Sequence, residues 1–250
     1  MLEQMASPER LKSLSLADMS ELAAEIRRTI IETTAQTGGH IGASLGAVEL
    51  TLALHRVYDT PTDQIVWDIG HQAYAHKLIT GRREKFSSLR QLGGISGFLK
   101  RQESPYDVWE AGHGGTALSG ALGMAVARDL KQDPHRVIAI VGDGALTAGM
   151  AWEALNQIGH LKTSLVVVVN DNSMSIAPNV GAFSRYLTEL RSAPGSCKAE
   201  KPTARAMTSS ATRSEAWHFG KAVPRSLSTS LVLPLQVKRR KAVQLRSWCG

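Results

Sequence analysis

Two short segments carry the most chemistry. Val141-Gly142-Asp143-Gly144-Ala145 ends one apolar run, and Asn170-Asp171-Asn172 ends the next. If both runs are strands of one parallel sheet, both segments leave at its carboxyl edge, where ligands bind. Gly142 and Gly144 let the backbone turn sharply and approach a ligand closely. Asp143 offers a carboxylate and Asn172 an amide oxygen, hard donors of the kind magnesium takes when substrate phosphates complete its shell. A lone Gly-Asp-Gly is ordinarily a strand-to-helix turn with a capping aspartate. The second segment at crossover distance favours a Mg²⁺-diphosphate site across two strand ends.

Three glycine–histidine corners accompany these segments: Gly38-Gly39-His40, Gly70-His71-Gln72 and Gly112-His113-Gly114-Gly115. The last precedes a helical stretch, and backbone N–H groups at a helix start favour a phosphate. One such histidine is more often a cap or a packing residue. Three in one α/β domain suggest histidines gathered around one cleft. His55, His76, His135 and His160 lack that context and read as structural or exposed.

The elements that must position these residues alternate between helix and strand. Asp18 with Glu21 has capping-box spacing, with Asp18 in the capping role. Leu22, Ile26 and Ile30 then recur at i+4 up to Thr37, where Gly38-Gly39 stops the helix. A second helical pattern runs from Ser44 to Tyr58. Ile65-Val66-Trp67 is a short apolar run followed by a helix-like stretch ending at Gly81. Thr116 to Leu130 is a helix rich in small residues, able to pack close to a neighbour. Val137 to Val141 and Ser164 to Val169 are buried strands by composition, with a helix from Ala148 to Gly159 between them. Strand, crossover and strand of this length predict an α/β fold with a mostly parallel sheet flanked by helices.

The chain has 250 residues and is 43% hydrophobic, enough for a sizeable core. The fully apolar runs, such as Leu165 to Val169, are strand-sized, which argues against a membrane-spanning helix. The first residues show no apolar stretch like that of a signal peptide. Cys197 and Cys249 stand in no metal-ligand spacing, against a disulfide scaffold. A cytoplasmic protein is expected. The net charge of +7 is unevenly held: residues 191–250 have 12 Lys and Arg and only two acids, so residues 1–190 balance at −3. That balance gives no electrostatic case for nucleic acid. Residues 1–190 therefore read as the folded domain. Residues 191–250 read as a basic low-complexity tail, in which Pro234 breaks the one apolar run, Leu231 to Leu235. Such a tail either touches acidic partners or has no selected structure, as an out-of-frame end would; its lack of periodicity favours the latter.

The pair of segments around Asp143 and Asn172 resembles the thiamine diphosphate signature of the transketolase superfamily. The longer stretches "GGHIGASLGAVELTLALH", "WDIGHQAYAHKLITGRR", "ESPYDVWEAGHGGTALSGALGMAVARDL", "GDGALTAGMAWEALN" and "NDNSMSI" resemble the 1-deoxy-D-xylulose-5-phosphate synthase family, over about residues 7 to 191 and not into the tail. The resemblance implies a thiamine diphosphate-binding fold and a transferase that joins pyruvate to D-glyceraldehyde 3-phosphate with loss of CO₂, for isoprenoid and thiamine synthesis. It implies His40 as an active-site histidine that assists proton transfers. It also implies His71 as a cofactor contact, Gly112, His113 and Gly114 as the loop that touches the cofactor, and Gly144 and Ala145 as backbone donors to the diphosphate. Asp143 and Asn172 match the magnesium ligands, Asn172 also lying against the cofactor, and Met174 would add a backbone carbonyl. A homodimer is the family's state.

Two departures stand out. Similar proteins usually carry hydroxyl residues where this chain has Gly114 and Gly115, so two side-chain hydrogen bonds, worth about 0.5–1.5 kcal/mol each, are expected to be missing. The family also has two further domains, one supplying the glutamate that activates the cofactor's aminopyrimidine ring. No acid in residues 1–190 resembles it in context, so these residues alone are expected to be inactive. Two alternatives are a non-catalytic Mg-diphosphate-binding remnant and the diphosphate-binding subunit of a split transketolase-like enzyme.

Overall fold

The computed structural model describes residues 1–5 and 7–171, and the backbone of a strand at 229–235. Six α-helices and four strands, besides short 3-10 and π turns, make up the regular structure among them: α1 (Leu16–Thr37), α2 (Ile41–Leu45), α3 (Val48–Val57), β1 (Gln64–Trp67), α4 (Tyr74–Lys77), α5 (Ala117–Lys131), β2 (Val137–Gly142), α6 (Gly149–Leu161), β3 (Leu165–Asp171) and β4 (Thr229–Leu235). The sheet has the order β1-β2-β3-β4, with β1–β2 and β2–β3 parallel, as expected. None of the described helices is long and apolar enough to cross a membrane.

Strand alternation divides the core into two layers. Val137, Ala139 and Val141 of β2 point with Val66, Val167 and Val169 to the side where Leu118, Ala121, Leu122, Ala125, Ala154 and Ile158 of α5 and α6 pack. Ile138 and Ile140 point the other way with Ile65, Trp67 and Val168, against Ala47, Leu54, Ala73 and Leu99. A third cluster lies away from the sheet, where Leu22, Ile26 and Ile30 of α1 meet Leu52, Tyr74, Leu78 and Phe86. The small residues of α5 serve close packing, as expected: Gly120 lies so near the Trp109 ring that a Cβ would stand 2.7 Å from it.

Four boundaries differ from the sequence reading. The cap of α1 is Ser15, not Asp18: Ser15 Oγ accepts from the Asp18 N–H (3.1 Å) and the Asp18 carboxylate accepts from the Ser15 N–H (3.0 Å). Both donors are thus satisfied by a box one turn earlier. The helix expected from Ser44 to Tyr58 is two helices, α2 and α3, parted at Gly46-Ala47, where glycine is the weakest helix former of the stretch. The stretch ending at Gly81 is helical only through α4, then widens into a single π-type turn, Leu78–Arg82, in which Gly81 takes φ 88°. Finally, the run at 231–235, read as broken by Pro234, belongs to β4, antiparallel to β3 with Pro234 opposite Val166. Among the described residues β4 stands at the sheet's edge, where a missing N–H costs no ladder bond on the open side. The rest of the expected tail lies outside the described residues.

Behind the sheet edge a buried polar chain ties α3, α4 and the 99–107 loop together. His55 Nδ1 bonds Thr60 Oγ1 (2.8 Å), His55 Nε2 bonds His76 Nδ1 (2.9 Å), and His76 Nε2 bonds Asp107 Oδ1 (2.9 Å). Arg82 donates to both Asp107 oxygens, and Lys77 donates to Glu103. Buried charges of this kind persist only when paired and hydrogen-bonded.

Candidate active site at the carboxyl edge

The parallel register sends the ends of β1, β2 and β3 to one edge. Past the end of β1 the Asp68 N–H still donates to Ile140 (2.8 Å), and past the end of β2 the Asp143 N–H reaches the Asn170 carbonyl (3.4 Å). After Asp68 the chain turns abruptly, because Ile69 and Gly70 are both left-handed (φ 61° and 86°). This corner carries His71. The His71 carbonyl accepts from Ser44 Oγ of α2 (3.0 Å), and the His40 N–H donates to the Tyr74 hydroxyl (3.3 Å). The two imidazoles consequently meet edge-on, with ring centres 5.4 Å apart, and Phe98 lies 5.8 Å from His40.

Burial pushes the His71 imidazole down to about 4, with His40 adding to the effect. Burial, then Arg90, lowers His40 as well. Both rings are therefore neutral near pH 7, each with one donor and one acceptor nitrogen. The Nδ1 of His71 is buried and has no hydrogen-bond partner among the described residues. An orphaned polar atom of this kind on a corner facing the ligand edge fits a phosphate or amide ligand.

The third glycine–histidine corner joins the other two through a residue that the sequence reading passed over. The Asp68 carboxylate is 1% exposed and accepts from the Gly115 N–H (3.0 Å) and the Ala117 N–H (3.1 Å) at the start of α5. Burial pushes the pKa of this carboxyl up, opposed by these backbone bonds. The anion at this helix start is thus a carboxylate of the protein itself, where a phosphate was expected. Gly112 borders open space, and His113 is exposed. Gly115 (φ 81°) sits against the next loop: a Cβ there would lie 2.5 Å from the Ala148 Cβ and 3.5 Å from the Ala145 carbonyl oxygen. Hence the His71 corner, the 112–115 loop and the 144–148 turn form one contiguous rim.

On that rim Asp143 is 7% exposed at the end of β2, and Gly144 opens a single 3-10 turn, Ala145–Thr147. Among the described residues no three His, Cys, Asp or Glu side chains form a metal cage. The expected shell is of another kind, one carboxylate with an amide and a carbonyl oxygen, and a buried carboxylate at a strand end suits it. Asn172 and Met174 lie outside the described residues. The residues that sequence reasoning missed are Asp68, Ser44, Tyr74 and Phe98. Only Asp68 left a signal, as an acid at a strand end just before a glycine turn.

Comparison with known proteins places the chain in a family. The family model described as 1-deoxy-D-xylulose-5-phosphate synthase matches residues 2–237, which extends past the limit of 191 expected from the motifs and includes β4. The 1-deoxy-D-xylulose-5-phosphate synthase of Thermomicrobium roseum is 60% identical over 191 residues, covering 76% of this chain and 30% of the relative. That of Syntrophus aciditrophicus is 58% identical over 189 residues, covering 76% and 29%. The chain thus spans about three-tenths of the length of the curated relatives it matches. Among solved structures, transketolase from Campylobacter jejuni superposes with a TM-score of 0.59 at 20% identity, over 70% of this chain and 32% of the other. Transketolase from Leishmania mexicana gives 0.57 at 21%, over 74% and 31%. At such identity these structures speak for the fold alone, which is the α/β fold of transketolases. With a family model spanning nearly its whole length, the chain belongs to the 1-deoxy-D-xylulose-5-phosphate synthase family.

Proposed function

We propose that residues 1–190 form the part of a thiamine diphosphate-dependent synthase that holds the diphosphate and Mg²⁺. The reaction served is the decarboxylating condensation of pyruvate with D-glyceraldehyde 3-phosphate. The observation that carries this reading is the contiguous rim: His71 with its orphaned Nδ1, the Gly112-His113-Gly114 loop, and the Gly142-Asp143-Gly144 end of β2. Asp143 would ligate the metal with Asn172 and Met174. The backbone at Gly144 and Ala145 would donate to the diphosphate, and Asn172 would also lie against the cofactor.

Bound thiamine diphosphate supplies a carbon nucleophile for the keto carbon of pyruvate. The chain's residues bind, orient and move protons around it. His71, neutral because burial disfavours its charged form, donates one N–H without bringing a cation. His40, at the exposed mouth and also lowered, is free to accept a proton near neutral pH, as a general base requires. Two carboxylates, Asp68 and Asp143, stand on the same rim and repel a bare diphosphate, so binding should depend strictly on Mg²⁺. These 250 residues by themselves should hold the cofactor's diphosphate end without turning substrate over. The reactive ring would be left unrestrained, and misplacement by about 1 Å already costs on the order of 10²-fold.

Calorimetry tests the assignment. The wild-type chain should bind thiamine diphosphate only with Mg²⁺, and Asp143→Ala should lose that binding. Equal binding by both would remove Asp143 from the metal shell. Rapid product formation from pyruvate and D-glyceraldehyde 3-phosphate by these residues alone would contradict the division of labour.

A further inference from the structure

We propose that Asp68 is a positioning residue, whose buried carboxylate fixes the Gly112–Thr116 loop to the His71 corner so that both present one geometry to the cofactor. The inference rests on the reading above for what the two segments face, but its geometry stands independently. Asp68 is held at three points. Its N–H donates to Ile140 on β2 (2.8 Å), its carbonyl accepts from the Gly70 N–H (2.6 Å), and its carboxylate accepts from Gly115 and Ala117. No Lys, Arg or His forms an ion pair with it among the described residues. A buried carboxylate without a cation is costly, and burial accordingly pushes its pKa up.

The choice of an acid therefore needs a reason. An apolar side chain would avoid the desolvation cost but strand two N–H groups at the start of α5. A carboxylate satisfies both at once, since each oxygen takes one donor, and its charge favours the positive end of the 15-residue helix α5. An amide would satisfy one donor and set its own NH₂ against the other. The loop also closes directly on the corner: a Cβ on Gly114 would lie 3.4 Å from Ile69 Cδ1 and 3.8 Å from Asp68 Oδ2. His71 is two residues beyond Ile69, on the far side of a left-handed turn that cannot slide along β1. Movement of the loop and movement of His71 are thereby one motion. A site held to within about 0.5 Å requires supporting contacts of this kind.

The test uses the full 250-residue chain with Asp68→Ala, Asp68→Asn and, as a stability control, Ser15→Ala at the distant α1 cap. Hydrogen exchange is read over residues 69–73 and 112–118, and binding by calorimetry with Mg²⁺ and thiamine diphosphate. Asp68→Ala should speed exchange at Gly115 and Ala117 and also in 69–73, and weaken binding about tenfold or more. Asp68→Asn should recover part of both effects, and it carries the test if the alanine variant does not fold. Ser15→Ala should lower stability and leave binding unchanged. The proposal is overturned if exchange quickens at 112–118 while 69–73 is unaffected. It is also overturned if Asp68→Ala weakens binding no more than Ser15→Ala does. If the wild-type chain binds no thiamine diphosphate, the functional reading fails, while the two exchange windows still decide the role of Asp68.

Discussion

Two histidine pairs in this fold look alike by distance and differ in every other respect. His40 and His71 have ring centres 5.4 Å apart, His55 and His76 5.0 Å. In the second pair each ring has both nitrogens bonded, through Thr60, the partner ring and Asp107, and both rings are buried. In the first pair His40 is exposed and His71 has a buried nitrogen with no described partner. Proximity of rings therefore does not mark a site. What distinguishes the two pairs is that both nitrogens of each inner ring are bonded within the protein, tying α3, α4 and the 99–107 loop together, whereas His71 keeps an unpartnered Nδ1 at the rim.

The comparison breaks most severely at Asp107. Asp107→Ala leaves one nitrogen of His76 unpaired and takes two bonds from Arg82, which keeps Thr80 and, at 3.6 Å, Glu103; removing one member of a buried pair typically costs about 3–5 kcal/mol. Urea unfolding should show that loss, whereas His71→Ala at the rim should change stability far less. Comparable losses from both would mean that the two pairs serve the same purpose.

Acid is expected to be the next strongest perturbation. Burial, then the neighbouring His76 and Arg82, holds His55 well below the ordinary imidazole value of 6.5. Burial also lowers His76, although Asp107 opposes it and Arg82 and Lys77 assist. For Asp107 burial acts upward but is outweighed by bonds from His76 and Arg82, which hold it well below the usual carboxylate range. The remaining charge facing the chain is Glu103, paired with Lys77. Below pH 6.5 the unfolded chain takes up histidine protons that the folded chain refuses. Stability should accordingly be level above that pH and fall steadily below it. Denaturation at a series of pH values, repeated on His55→Gln, checks this: the variant's curve should fall less steeply, and an unchanged slope would acquit the pair.

Smaller effects sharpen the description of the rim. Gly115→Ser forces a side chain into a left-handed position against the Ala148 methyl, and should cost about 1–3 kcal/mol. Gly114→Ser meets only ordinary contacts, and should stay within about 0.5 kcal/mol. Thermal melts of the two single variants would separate them; equal losses would refute the crowding at Gly115. The two glycines that depart from the resembled pattern are thus unlike in kind, one sterically required in this structure and one not.

Much of this was legible in the residues. Five-residue apolar runs ending in glycine or asparagine can hardly be other than buried strands, and the crossover lengths between them dictated parallel pairing. The corners of His40, His71 and Gly112–Gly115 were visible because glycine marks turns. Three features were not legible. Asp68 acts on amides 47 and 49 residues away, a distance that no local pattern records. Ser15 and Asp18 both begin acceptable capping frames, and only the bonds made decide between them. Asp107, Arg82 and His76 look like ordinary surface types, because their burial depends on three elements folding together. The Asn172 end of the expected metal site lies outside the described residues.

The closeness of Gly115 to Ala148 makes the two positions interdependent. Were Ala148 glycine, the nearest atom to a new Cβ at 115 would be the Ala145 carbonyl oxygen at 3.5 Å, an ordinary contact. A hydroxyl residue at 115 therefore becomes tolerable only after the methyl at 148 has gone, apart from the residual cost of the left-handed backbone. The cost of a side chain at 115 thus depends on the side chain at 148, and effects of changes at the two positions should not add. Residue 115 therefore cannot be interpreted without knowing residue 148.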